Sequence, residues 1–332
     1  MPRAAVNGTE IWYSIQGEGC PLLLLPGLGL DHAYYRLGEP LLRKRAKTML
    51  LDPRGIGQSL KDSPKDVTYT PELWADDFAA LARTLGFQQV DVLGSSLGAA
   101  TAMVFAEKYP SLTRSLVAIG GFSQLDRALE MNFRFRKKLI AKLGMGEEIA
   151  DFMAMSTMTR EFMENDAGLQ VMRANQANVR NNSAELYTAF LDAILWWGRK
   201  LPEQENEPLF TTRLKNICCP TLVICGDNDY FIPTFFSKMI ADNIPGSVYR
   251  EIEGGGHIPF IEKPTETAAT VLEFLGNYRN HDAGTECLNS GRAMGMEAAV
   301  DRASGDIRVE RVVCAHISGR IITPVGLRSQ KS

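Results

Sequence analysis

Five residues, Gly94-Ser95-Ser96-Leu97-Gly98, have the types and spacing needed to expose a nucleophile. A β-type run at 90–93 leads into them, and an apolar helical stretch at 97–109, stopped by Pro110, leads away. A strand that turns sharply into a helix strains the backbone of its middle residue and leaves no room for side chains on the flanks. Glycine at 94 and 98 meets that demand, in the pattern of a nucleophile elbow. Ser96 is then held at the tip of the turn with its hydroxyl exposed. The helix that follows starts with unpaired N–H groups, so the amide of Leu97 is a donor suited to an oxyanion.

A serine needs a neutral imidazole to take its proton and a carboxylate to orient that imidazole. The chain has four histidines, His32, His257, His281 and His316. His257 alone sits in a glycine-rich loop, Gly254-Gly255-Gly256, directly after a core-strand pattern at 248–252. It is the expected base. His32 lies just past the Gly27-Leu28-Gly29 loop, where a structural role is expected, and the other two fall in a tail. Asp227 and Asp229 both follow the apolar strand pattern at 221–225, at the end of a parallel sheet where functional residues gather. Residue types alone leave both open.

These side chains need a scaffold, and the chain alternates strand and helix patterns in a way that predicts one. Strands are expected at 11–16, 22–25, 48–51, 90–93, 115–119, 220–226 and 248–252. Helices are expected at 34–47, 70–85, 97–109, 233–243 and 263–278. Thr70 followed by Pro71 reads as an N-cap and first helical residue. Such alternation argues for a mostly parallel sheet covered on both faces. Between 124 and 200 only helical periodicity remains, broken near 144–146 and at Gly168, as in an inserted helical lid. Seven of the thirteen methionines lie there. The expected organisation is a core of 1–122 and 205–280, a helical cap at 123–204, and a disordered or loosely packed tail at 281–332. A hairpin around Ser318-Gly319 is the alternative for part of that tail.

Composition narrows the function classes. A net charge of −3 gives no nucleic-acid footprint, and no apolar run is long enough to span a bilayer. The cysteines, at 20, 218, 219, 225, 287 and 314, match neither a zinc motif nor a disulfide framework. A reducing, cytoplasmic location is expected, with no metal and no cofactor.

Over roughly residues 4–279 the chain resembles the α/β-hydrolase family. The motifs that carry the resemblance are Pro26-Gly27-Leu28-Gly29, Asp52-Pro53-Arg54-Gly55-Ile56-Gly57-Gln58-Ser59, the elbow at Ser96, Gly226 with Asp229 and Pro233, and Gly256-His257 followed by Glu262 and Pro264. The resemblance implies an α/β fold with an inserted helical cap. It selects Asp229 over Asp227 as the orienting acid and implies an oxyanion hole made by the backbone N–H groups of Leu28 and Leu97. Pro26 stands where many relatives have a histidine.

The implied activity is hydrolysis of a small or medium apolar ester or lactone, similar to enol-lactonases and small carboxylesterases. Phe122, Trp196 and Trp197 are expected to contact the substrate. Carbon–carbon bond hydrolases are the alternative, but they tend to carry Asn and Trp where this chain has Ser95 and Ile258. A receptor with slow turnover and a cofactor-free dioxygenase also use this fold. Epoxide hydrolases and haloalkane dehalogenases use an aspartate nucleophile, against which Ser96 argues.

Overall fold

The structure is a computed structural model, and it describes residues 2–62, 64–198, 209–280, 293–300 and 307–314. The chain divides into two units, Met1–Gly284 and Thr285–Ser332.

The first unit is organised by one sheet. Its strands are β1 (Arg3–Val6), β2 (Thr9–Gln16), β3 (Pro21–Leu25), β4 (Lys47–Leu51), β5 (Val90–Ser95), β6 (Thr113–Ile119), β7 (Thr221–Gly226) and β8 (Val248–Ile252). They lie in the order β1-β2-β4-β3-β5-β6-β7-β8. Only β1 with β2 and β2 with β4 pair antiparallel, and every later pairing is parallel. The first hairpin turns at Asn7 and Gly8, both at positive φ, as a two-residue turn between twisted strands requires. Strands β3, β5 and β7 are buried along their whole length, which explains the apolar runs Leu22 to Leu25 in β3 and Leu222 to Cys225 in β7.

The flanking helices are α1 (Glu39–Leu42), α2 (Pro71–Thr84) and α3 (Leu97–Lys108) in the first half. The Thr70 hydroxyl caps α2 by accepting from the Leu73 N–H at 3.1 Å. Between β6 and β7 come α4 (Arg127–Leu143), α5 (Glu147–Thr157), α6 (Arg160–Glu164), α7 (Asp166–Arg180) and α8 (Ala184–Gly198). The second half adds α9 (Thr234–Asn243), α10 (Pro259–Glu262) and α11 (Pro264–Asn280). Among the described residues no helix is long and apolar enough to cross a membrane.

Two local expectations are corrected. The pattern at 34–47 predicts one helix, but the chain forms a 3-10 turn at His32–Tyr35 and then the single turn α1. Pro40 has no N–H to continue a helix from the preceding turn. Gly38 lies so close to the Phe260 ring that a Cβ would collide with it. In the inserted region the break falls at Asn165, three residues before Gly168, because the Asn165 side chain caps α7 by accepting from the Ala167 and Gly168 N–H groups. Gly168 instead packs against the Phe162 carbonyl, where no side chain fits. The expected end of the insertion, 199–204, lies outside the described residues.

In the second unit, β9 (Ala293–Val300) and β10 (Ile307–Cys314) pair antiparallel. The pairing sets Val300 opposite Ile307, and the turn expected at Ser318-Gly319 lies outside the described residues. Residues 293–299 contain no β-branched side chain, so local propensity gave little sign of a strand, and cross-strand pairing makes it one.

Candidate active site

Ser96 joins β5 to α3 with φ 56° and ψ −119°, one of two described non-glycine residues at positive φ. The elbow holds it there by close approach on both sides. A Cβ at Gly94 would collide with the Gly98 carbonyl, and a Cβ at Gly98 with the Leu25 carbonyl at the end of β3. Helix α3 is buried from Leu97 to Ala106, so the core fixes the direction of the turn. The Ser96 N–H donates to the Ile119 carbonyl at 2.8 Å, tying the elbow to β6.

His257 reaches the serine from the loop after β8. Its Nε2 lies 2.9 Å from the Ser96 Oγ, and its Nδ1 lies 2.8 Å from the Asp229 Oδ2. A carboxylate only accepts, so Nδ1 carries the proton and Nε2 is left to accept from the serine. The other oxygen of Asp229 accepts from the N–H groups of Phe231 and Ile232 at 3.0 and 2.8 Å. Asp229 is 4% exposed and His257 3%, whereas Asp227 points into solvent. The structure therefore brings Ser96, His257 and Asp229 together and leaves Asp227 apart. Phe231 stands edge-on to the imidazole, with ring centroids 4.9 Å apart.

The inserted helices grip the loop that carries His257. The Thr157 carbonyl, at the end of α5, accepts from the His257 N–H at 3.0 Å. Glu262 accepts from the N–H and hydroxyl of Thr159 at 3.0 and 2.6 Å. Burial raises the Glu262 pKa above the ordinary carboxylate value, against the lowering effect of those Thr159 bonds.

Leu28 and Leu97 both border the elbow. Among the described residues, no hydrogen bond engages the backbone N–H of either one. Gly27 is close enough to Ser96 that a Cβ would stand 3.3 Å from the serine Cβ. Ser95, beside the nucleophile position, turns away into the core and shares a 2.8 Å hydrogen bond with the Tyr34 hydroxyl.

A pocket opens over Ser96 and His257. Its walls are mainly apolar, including Leu28, Phe122, Phe133, Ile194 and Ile258. Phe122 lines this pocket, and neither Trp196 nor Trp197 is among its wall residues. Trp196 is 43% exposed on the outer face of α8. Trp197 turns into the core, where it packs on Phe122 and Phe210 and donates to Glu72 at 3.0 Å. Helical periodicity placed both indoles in the right helix but could not say which face the pocket takes. Trp197→Ala is accordingly expected to cost roughly 3–5 kcal/mol of stability, as truncation of a packed aromatic does. Urea unfolding of the variant measures this, and an unchanged midpoint would show that the indole carries no packing role.

Arg136 of α4 is the wall residue that sequence reasoning missed. It is 1% exposed and lies over the Phe231 ring at 4.4 Å. Burial lowers its pKa, although a guanidinium keeps its charge throughout the physiological range. A signal was available: Leu129, Phe133, Arg136 and Ile140 are the buried positions of α4 and share its inner stripe at helical spacing.

One cluster has the composition of a cation site. Ligand atoms of Asp31, His32 and Asp52 lie within 4.8 Å of one another. Protein donors already engage them: Asp52 accepts from the His32 and Gln58 N–H groups, both at 2.8 Å, and contacts the His32 ring at 2.7 Å. Asp31 accepts from the Ala33 N–H and the Asn178 amide. These bonds brace the loop after β4, which gives His32 a structural role. Arg54, in the same loop, is clamped by Asp77 through two 2.8 Å bonds.

Known proteins resemble this chain over most of its length. A proline iminopeptidase of Lactobacillus helveticus is 25% identical over 293 residues, spanning 82% of this chain and 96% of its own. The solved enol-lactonase from Burkholderia xenovorans LB400 is 24% identical, with TM-score 0.73, and covers 83% of this chain and all of its own (100%). A thermophilic esterase from Thermogutta terrifontis is 25% identical, with TM-score 0.72, and covers 83% of this chain and 99% of its own. The relatives are hydrolases of ester, lactone and peptide type. The model of the alpha/beta hydrolase fold matches residues 21–264, from β3 through the loop of His257 to the first residue of α11, and so the chain belongs to the α/β hydrolase fold family.

Proposed function

We propose that the protein is a serine hydrolase that cleaves a small or medium apolar carboxylic ester or lactone through an acyl-enzyme on Ser96. The observation that carries this reading is the hydrogen-bonded series Asp229–His257–Ser96, two members of which border a largely apolar pocket. In the first step the Ser96 Oγ bonds to the substrate carbonyl carbon and its proton passes to Nε2 of His257. The carbonyl oxygen takes the negative charge and accepts from the N–H groups of Leu28 and Leu97. The C–O bond to the alcohol then breaks, and the alcohol leaves with the proton from Nε2. In a lactone it stays tethered to the acyl group. Water next gives a proton to Nε2 of His257 and bonds to the acyl carbon; the acyl–Oγ bond then breaks, the acid leaves and Nε2 returns the proton to Ser96. Helices α4–α8 act as a cap that limits water around the reacting groups.

The peptidase relative favours a second reading, hydrolysis of an amide beside a free amino terminus. Such a substrate brings a cation into the pocket. The charged wall residue is Arg136, and no described wall residue carries a carboxylate, so the electrostatics favour the ester or lactone. Purified protein assayed against short chromogenic esters, five- and six-membered lactones and a prolyl amide tests this. Sustained turnover of esters or lactones is the expected result. Turnover of the amide alone would replace the reading, and a single acylation without turnover would indicate a receptor.

A further inference from the structure

We infer that the substrate of this pocket carries a carboxylate, and that Arg136 binds it by a two-bond fork. The inference rests on the ester or lactone reading and names the class within it.

Two other arginines in this chain show what such a side chain does when it is buried. Arg54 holds Asp77 with its Nε and Nη2 at 2.8 Å each, and Arg114 holds Asp91 through the same edge at 2.9 Å each. That edge matches the two oxygens of a carboxylate. Arg136 is also buried, yet its Nε and Nη2 have no hydrogen-bond partner among the described residues, and the phenol of Tyr187 is the polar group beside the guanidinium. No ion pair joins it to any described carboxylate. Its Nη1 donates to the Met153 sulfur at 2.8 Å, a weak acceptor.

Aromatic rings surround the guanidinium but offer its N–H groups no oxygen or nitrogen acceptor. Phe231, Phe152 and Phe133 lie 4.4, 5.5 and 5.6 Å from its central carbon. Ring contacts of this kind offset part of the cost of burying the charge. The in-plane N–H donors gain nothing from them. Buried donors without acceptors are rare in folded proteins, and those that occur call for a specific reason. Here the reason is position: Arg136 borders the same pocket as Ser96 and His257.

Geometry sets where the carboxylate must be on the substrate. Phe231 touches both groups, with the Arg136 guanidinium over its ring at 4.4 Å and the His257 ring edge-on to it at 4.9 Å. The charged end of the substrate is therefore separated from the reacting carbonyl by about one ring's width, a short aliphatic spacer. One guanidinium balances one negative charge, so the fit is to a monoanion such as the half ester of a short dicarboxylic acid, or a lactone bearing one carboxylate. Asn175, a second buried polar side chain on the wall, supplies a further polar contact from α7.

The test compares 4-nitrophenyl hydrogen glutarate with 4-nitrophenyl valerate, of matched length but neutral. In the wild-type protein kcat/KM is expected to favour the acid by about 100-fold, the scale of two charge-assisted hydrogen bonds. In Arg136→Met this ratio is expected to fall to near unity, and in Arg136→Lys, which keeps the charge without the fork, to an intermediate value. The wild-type ratio needs no variant, so a poorly folding substitution does not remove the test. A wild-type ratio at or below unity overturns the inference, as does a ratio that survives in Arg136→Met. If neither ester is turned over, the hydrolase reading fails by itself, and glutarate binding decides the site. Glutarate raising the melting temperature of the wild-type protein but not of Arg136→Met supports the fork, and no rise in the wild-type protein overturns it.

Discussion

Replacing Ser96 by alanine is expected to lower kcat by on the order of 10⁶-fold, the loss found when a comparable hydrolase loses its triad serine. The Ser96 hydroxyl is the nucleophile in the proposed reaction, and the strained turn exists to present it. Alanine keeps the elbow geometry, because Ser96 makes no side-chain cap bond to α3. The lost group is the attacking oxygen alone. A fluorophosphonate should label Ser96 and leave Ser95 untouched, since Ser95 is buried and turned towards Tyr34. Peptide mapping of the labelled protein reads this directly. Labelling that persists in Ser96→Ala would sink the assignment.

Asp229→Asn should cut turnover by about 10⁴-fold, the scale seen when a triad carboxylate is made neutral. The mechanism is a change of tautomer. The asparagine oxygen would keep the bonds from Phe231 and Ile232, which hold the side chain in place. Its NH₂ would then face the His257 Nδ1 and donate to it. That bond forces the remaining ring proton onto Nε2, where it blocks acceptance of the serine proton. The fold should survive, as circular dichroism would verify. Asp227→Asn is the control two residues away, exposed and outside the series, and its kcat should stay within a few-fold of the wild type. Loss of activity in Asp227→Asn, with Asp229→Asn active, would refute the arrangement.

Much of the site was legible in the sequence because its determinants are local. The glycines at 94 and 98 state a steric requirement of one turn, and neighbouring strand and helix patterns locate that turn at the edge of the sheet. The order Ser96, Asp229, His257 follows from which strands precede them. The choice between Asp227 and Asp229 was not local. Both leave β7 by the same turn, and only the neighbouring loop after β8 decides which carboxylate is buried against the imidazole.

The wall of the pocket depended on tertiary structure still more. Helical periodicity says that a residue shares a face with its neighbours three and four positions away, and nothing about what that face meets. In α8 it could not separate Trp196, on the outside, from Trp197, in the core, or either from Ile194, on the pocket wall. In α4 four basic residues lie within five positions, Arg134, Arg136, Lys137 and Lys138, and only Arg136 is buried. The sequence by itself determined the strand and helix patterns and pointed to Ser96 and His257, because strand burial and the elbow's steric demand are fixed within a few residues. The packing of α4 and α5 against Phe231 decided that a positive charge faces the pocket, because burial of a single side chain depends on surfaces brought together from distant parts of the chain.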